Sequence, residues 1–219
     1  MNESEARKAI WNAGLWLVDR GLVVGTWGNL SMRFGEKLVA ITPTGGDYSK
    51  MTPEDMVIID LESGEARGGK PSSEKGLHLE VYRRRPEIAA VVHTHSMSAS
   101  TCAAARREVP PVLDDMAQLL GPTIRVADYA LPGTTKMNRG VLRALSGRMA
   151  ALMASHGAVA IGRSLDEALA ACLVLEKACR VFIEAEFLGG AKRLGPVEAS
   201  LMHQVYLRKY SKASDKGLL

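Results

Sequence analysis

Residues Ile88–His95 read IAAVVHTH, an apolar run with no polar side chain before it ends on two imidazoles. A strand with one buried face alternates apolar and polar residues, whereas an unbroken apolar run needs cover on both faces. The run predicts a central strand with helices on either side. Around it, segments of helical and of strand periodicity alternate along the chain, so one α/β domain is expected over residues 1–219.

The remaining elements follow from spacing and punctuation. Ser4 is placed to cap a first helix whose apolar face is Ala6, Ile10, Ala13 and Leu17, and which ends at Gly21. Glycines at 21, 25 and 28 mark a turn that enters a strand through Asn29. Lys37–Thr42 and Val57–Asp60 read as strands, with a helical turn at Thr52–Met56 between them and a polar loop after them. A helix capped by Ser72 or Ser73 is stopped by Pro86. A short helix follows at Ser96–Arg106, and a strand from Ile124. Thr135–Ser146 is helical, and Met149–Ala154 and Ala158–Ile161 are strands. A long helix opens at Ser164, and a helical tail starts at about residue 197.

Composition narrows the function classes. The net charge of +4 is mild and lacks the dense basic stripe with interleaved aromatics that nucleic acid requires. A modest attraction for anionic metabolites fits it better. No run of about 18 apolar residues predicts a membrane span, and the first helix lacks the basic start and cleavage site of a signal peptide. Three cysteines, Cys102, Cys172 and Cys179, sit in apolar helical contexts, which suits buried thiols in a reducing, cytoplasmic compartment.

The chemistry concentrates on few residues. The chain has five histidines. His93 and His95 stand two apart on a strand and so project to one side. That pair alone fits a hydrogen-bonded couple as well as a metal. His156 ends another apolar run beside Gly157, and three imidazoles with an open fourth position suit a catalytic zinc. PSSE, residues 71–74, sets two hydroxyls and free amides at a helix start, where an anion is favoured. TWGN at 26–29 and PTGG at 43–46 are further turns able to present donors. Glu74 stands one helical turn before His78, on the same face. His203 reads as structural or exposed.

GTWGNLS, ITPTGGDYSKMTPEDMV, KPSSEKGLHLEVY, AVVHTHS and the later SHG resemble, in order and spacing, the class II aldolase/adducin superfamily, and most of all its L-fuculose-phosphate aldolase branch. The resemblance implies a three-layer α/β/α sandwich around a mixed, mostly antiparallel sheet. It implies Zn²⁺ on His93, His95 and His156, Glu74 as the proton-transfer group, and phosphate on Gly28, Asn29, Thr44, Gly45, Ser72 and Ser73. It also implies retro-aldol cleavage of a phosphorylated ketose to dihydroxyacetone phosphate and an aldehyde, through a metal-stabilised enediolate. A homotetramer with active sites between subunits belongs to the same expectation. Where the branch carries a tyrosine, this chain has Asp114 followed by Asp115; Tyr210 or Tyr206 corresponds to a second tyrosine near the C-terminus. The acidic pair is a feature of epimerase and dehydratase relatives, so a sugar-phosphate 4-epimerase is the first alternative. A sugar-acid phosphate decarboxylase and an adducin-like binding module are the others.

Overall fold

The computed structural model describes residues 1–210, with Tyr210 described by its backbone alone. Its centre is one sheet of eight strands: β1 (Asn29–Phe34), β2 (Leu38–Ile41), β3 (Val57–Asp60), β4 (Ala66–Arg67), β5 (Ala90–Thr94), β6 (Arg125–Ala127), β7 (Ala150–Met153) and β8 (Gly157–Gly162). Their order is β4-β3-β2-β1-β5-β8-β7-β6. Neighbours run antiparallel except β6 and β7, which are parallel. The IAAVVHTH run supplies β5, buried at every position in the middle of the sheet.

Alternation along β5 assigns the two layers. Ala90 and Val92 point into a core shared with α1 (Glu3–Asp19), α3 (Met97–Ala104), α4 (Asp114–Leu119) and α6 (Leu165–Phe187). Val91 points the other way, into a core shared with α2 (Lys75–Arg84) and α5 (Thr135–Ala144). The result is the expected α/β/α sandwich. His93 shares the parity of Val91, so its ring leaves the sheet on the α2 side. The last helix, α7 (Pro196–Tyr210), packs on α4. Among the described residues no helix is long and apolar enough to cross a membrane. All three cysteines are buried and unpaired by disulfides.

Some local details differ from the sequence reading. Asn2, not Ser4, caps α1: its side chain accepts from Glu5 N at 2.9 Å while the Glu5 carboxylate accepts from Asn2 N at 2.8 Å. This reciprocal pair satisfies two helix-end donors, which Ser4 cannot do with Arg7 as its third neighbour. Glu74, rather than a serine, is the residue before α2, because Ser72 and Ser73 form a turn ahead of it, closed by Lys75 N donating to Ser72 O at 3.0 Å. The loop after β3 contains the two-residue strand β4, paired with β3 through Ile58–Arg67 and Ile59–Ala66.

Candidate active site

Three segments carry the histidines to one point. In the sheet register Asn29 of β1 lies opposite His93, and His93 lies opposite Val159 of β8. His95 follows the end of β5, where its amide donates to Leu22 O at 3.2 Å. His156 belongs to the β7–β8 turn, in which Ser155 adopts φ 54° and His156 N donates to Met153 O at 3.0 Å. Gly157 is required there: a Cβ would overlap Thr94 O and come 3.2 Å from His93 Cε1. Gly28 is constrained similarly, with φ 97° and a virtual Cβ 2.9 Å from His93 O.

The rings surround a common centre. Their centroids are 4.7, 4.8 and 5.1 Å apart, with each pair edge to face. The nitrogens offered by His93, His95 and His156 lie within 4.8 Å of one another, and the Nε2 atoms of His93 and His95 are 2.9 Å apart. His93 Nδ1 donates to Ala158 O at 2.9 Å, which fixes the tautomer and leaves its Nε2 lone pair facing the centre. Burial, reinforced by the neighbouring rings, pushes the His95 pKa down to about 4 and lowers that of His156. Neutral imidazoles are the ligating form.

Glu74 closes the group. Its side chain is buried, with Oε2 3.2 Å from His93 Nε2 and Oε1 3.7 Å from His156 Nε2. Burial pushes this carboxyl up, while His93 and His156, when protonated, and the Asn29 amide pull its pKa below the usual value. Oε1 is a buried oxygen without a hydrogen-bond partner. A buried carboxylate oxygen left bare beside His156, a tautomer locked with its lone pair inward and a turn that admits no Cβ together fit a divalent cation.

A buried chain of hydrogen bonds holds Glu74 from behind. Asn29 Nδ2 donates to Glu74 Oε2 at 2.9 Å, and His78 Nε2 contacts Asn29 Oδ1 at 2.6 Å. Ser31 Oγ lies 2.7 Å from His78 Nδ1 and 2.8 Å from the Tyr82 hydroxyl. A carboxylate can only accept, and that sets every direction. Asn29 turns its NH₂ to Glu74, so its carbonyl must receive the His78 Nε2–H. A neutral His78 then accepts from the Ser31 hydroxyl, which accepts from Tyr82. Burial pushes the His78 pKa down to about 3, which keeps the ring neutral. The sequence reading paired Glu74 with His78 but missed Ser31 and Tyr82. The available signal was Asn29 and Ser31 two apart on β1, a polar stripe on an otherwise buried strand.

The three donor-rich turns are tied together. Pro43 and Pro71 form an isolated antiparallel bridge, Thr44 N donates to Lys70 O at 3.1 Å and Ser72 N to Thr42 O at 3.1 Å. Thr42 in turn exchanges hydrogen bonds with Leu30, next to Asn29. Gly28–Asn29, Thr44–Gly45 and Ser72–Ser73 thus sit on linked segments, with Thr44, Gly45 and Ser73 exposed. Ser72 is buried and its Oγ accepts from Glu74 N at 3.2 Å.

Asp114 and Asp115 stand elsewhere. They form the first turn of α4, which starts at Asp114. Asp115 is ion-paired with Lys177 of α6 and accepts from Met116 N at 2.9 Å, whereas Asp114 is exposed. Neither has a hydrogen bond or ion pair to the histidines among the described contacts. The side chain of Tyr210 lies outside the described residues. Tyr206 donates to Glu167 at 3.2 Å, and His203 is buried with Nδ1 donating to Gln118 O at 2.8 Å, a structural role.

Comparison with known proteins agrees with this geometry. Residues 8–183 match the family described as Class II Aldolase and Adducin N-terminal domain. The chain is 40% identical to a 5-methylthioribulose-1-phosphate/5-deoxyribulose-1-phosphate aldolase of Rhodospirillum rubrum, over 78% of this chain and 77% of that one. It is 35% identical to a 5-deoxy-D-ribulose 1-phosphate aldolase of Bacillus thuringiensis, over 86% and 89% of the two chains. A solved structure of an L-fuculose 1-phosphate aldolase superposes with a TM-score of 0.89 at 32% identity, covering 94% of this chain and 98% of that one.

Proposed function

This chain belongs to the class II aldolase and adducin family, and from that premise we propose that it cleaves a ketose 1-phosphate between C3 and C4 to dihydroxyacetone phosphate and an aldehyde. The observation that carries the reading is the cluster of His93, His95 and His156 with Glu74 beside it, whose buried Oε1 has no hydrogen-bond partner and lies 3.7 Å from His156 Nε2. The three imidazoles would hold a divalent cation, which we assign as Zn²⁺ because three neutral nitrogen ligands with one position left open suit it. When bound, that cation would polarise the substrate's carbonyl and hydroxyl oxygens and offset the charge that develops between them.

The protein's own groups do the rest. Ser73, Thr44 and the amides around Gly45 and Gly28 hold the phosphate, with Ser72 and Asn29 behind them, and so orient the scissile bond. As the C3–C4 bond breaks, the C4 hydroxyl proton leaves to a base and the electron pair stays on C3. Glu74, anionic at rest, takes the proton of the C3 hydroxyl as the substrate binds and delivers it to C3, while the base at C4 returns its proton to the oxygen left on C3; in the condensing direction the steps reverse. The place of Glu74 at the start of α2, near the positive end of the helix, favours the anionic form between turnovers. For the base at C4 we assign Asp114 of a neighbouring subunit, with Tyr210 as the further acid–base candidate from the sequence, in a homotetramer whose sites lie between subunits. Asp114 is exposed, and its neighbour Asp115 is already committed to Lys177. The substrate family is 1-phosphates of ketoses such as L-fuculose or 5-deoxyribulose. Buried free thiols suit a cytoplasmic enzyme.

The test is a panel of ketose 1-phosphates with metal-replete protein, scored for dihydroxyacetone phosphate and for epimers. Release of two fragments, absent in His95→Ala, is expected. Epimerisation with the carbon count intact would replace the aldolase reading by the 4-epimerase one. Less than about one-tenth equivalent of divalent metal in protein purified without chelator would overturn the metal assignment.

A further inference from the structure

Beside the histidines lies an open hollow of about 400 Å³ lined by Val24, Trp27, His95, Ser155 and His156. Two of these are large apolar side chains in water: Trp27 is 66% exposed and Val24 68%. Neither is needed by the core, and burying such groups is the ordinary outcome for a folded chain. Both stand on one tight turn, closed by Trp27 N donating to Val24 O at 3.1 Å, so they present a single surface. The Trp27 ring centroid is 5.8 Å from that of His95. The hollow offers few polar partners: the Ser155 hydroxyl already accepts from Arg106 Nη2 at 3.1 Å, and the two imidazoles face the metal centre.

We propose that Trp27, with Val24, is the wall that receives the far end of the sugar, and that it selects a ketose 1-phosphate whose terminal carbon bears an apolar group, a methyl or a thioether, over one bearing a hydroxyl. This rests on the aldolase reading above. In this arrangement the phosphate sits on Ser73, Thr44 and Gly45, the reacting carbons lie at the histidines, and the departing aldehyde extends past His95 and His156 into the hollow that those two rings line. A terminal hydroxyl there loses water without gaining a partner, whereas a methyl or thioether covers indole surface, and sulfur–ring contact is favourable. An apolar contact of this size discriminates by about 10–200-fold. Two relatives named for 5-deoxy or 5-methylthio sugars agree with that chemistry.

The experiment compares 5-methylthio-D-ribulose 1-phosphate, 5-deoxy-D-ribulose 1-phosphate and D-ribulose 1-phosphate with wild-type, Trp27→Ser and Trp27→Phe protein. Wild type should favour the thioether over the hydroxylated sugar by at least about tenfold in kcat/KM. Trp27→Ser should bring that ratio below about threefold, and Trp27→Phe should keep most of it. The non-cleavable 5-methylthioribitol and ribitol 1-phosphates, titrated calorimetrically into the metal-loaded protein, should show the same discrimination in Kd. Discrimination between the analogues with no cleavage of any sugar would overturn the aldolase reading and uphold the wall. Cleavage with equal kcat/KM for all three sugars, or a ratio that Trp27→Ser leaves unmoved, would overturn the wall.

Discussion

Glu74 and the Asp114–Asp115 pair both stand at the start of a helix, yet the fold gives them opposite settings. Glu74 is buried, held on one oxygen by Asn29 and bare on the other. Asp115 is half in water, tied to Lys177, and Asp114 is exposed. A carboxylate in solvent is hydrated and moves freely, whereas one taken out of water needs partners on every side or leaves an atom poised for chemistry. Under the proposed function, one chain would build the proton-transfer group by itself and supply the second acid–base group as a surface element for a neighbouring copy.

The largest effect should come from Glu74→Gln, which keeps shape and hydrogen bonding but cannot carry the proton. Its kcat should fall by about 10²–10⁴-fold with metal content unchanged by elemental analysis; activity within tenfold of wild type would break the contrast at its strong end. Asp114→Asn should lower kcat by about 10²-fold with normal unfolding. Mixing it with His95→Ala should restore part of the activity, because some sites in mixed oligomers draw an intact Asp114 from one chain and an intact triad from another. Failure of the mixture to exceed either parent would return Asp114 to the surface.

A third measurement probes what stands behind Glu74. His78→Leu strips partners from Asn29 Oδ1 and Ser31 Oγ and should destabilise the protein by about 1–3 kcal/mol in urea. It should also lower kcat more than it changes KM, because Glu74 loses its fixed orientation; His78→Gln should recover part of both. His78 also gives a pH signature. Folding holds its pKa at about 3, well under the value near 6.5 of an unfolded imidazole. The unfolded chain therefore binds a proton that the folded one does not. This contribution to stability is complete above about pH 6.5 and is lost as pH falls towards 3. Urea midpoints of metal-free protein between pH 7 and 4.5 should fall less steeply in His78→Gln. The smallest effect belongs to Asp115→Asn, which removes a surface ion pair worth less than about 1 kcal/mol and should leave kcat within twofold.

Legibility in the sequence followed burial. The β5 run and the Ser164 cap of α6, which accepts from Glu167 N at 3.1 Å, were readable because an apolar run and a capping hydroxyl each have few alternatives. His93, His95 and His156 were separable from His203 because they end apolar runs. β4 was not readable, since two residues in a Gly-rich polar stretch become a strand only through pairing with β3. The chain from Tyr82 to Glu74 was half readable: helical spacing joined Glu74 to His78, but the opposition of Asn29 and His93 is a register that no local pattern encodes. Asp114 and Asp115 read as site residues from their position in the chain; their surroundings within one subunit are those of a surface turn.

The His78 Nε2–H, donated to Asn29 and sealed from solvent, has a use beyond support. A proton so enclosed exchanges with water only when the interior opens, and a short bond shifts its magnetic resonance far downfield of the amide envelope. The protein thus carries a native spectroscopic label one residue away from Glu74, and the appearance, shift or loss of that single line would report how Glu74 is held when a divalent metal or a sugar phosphate is added.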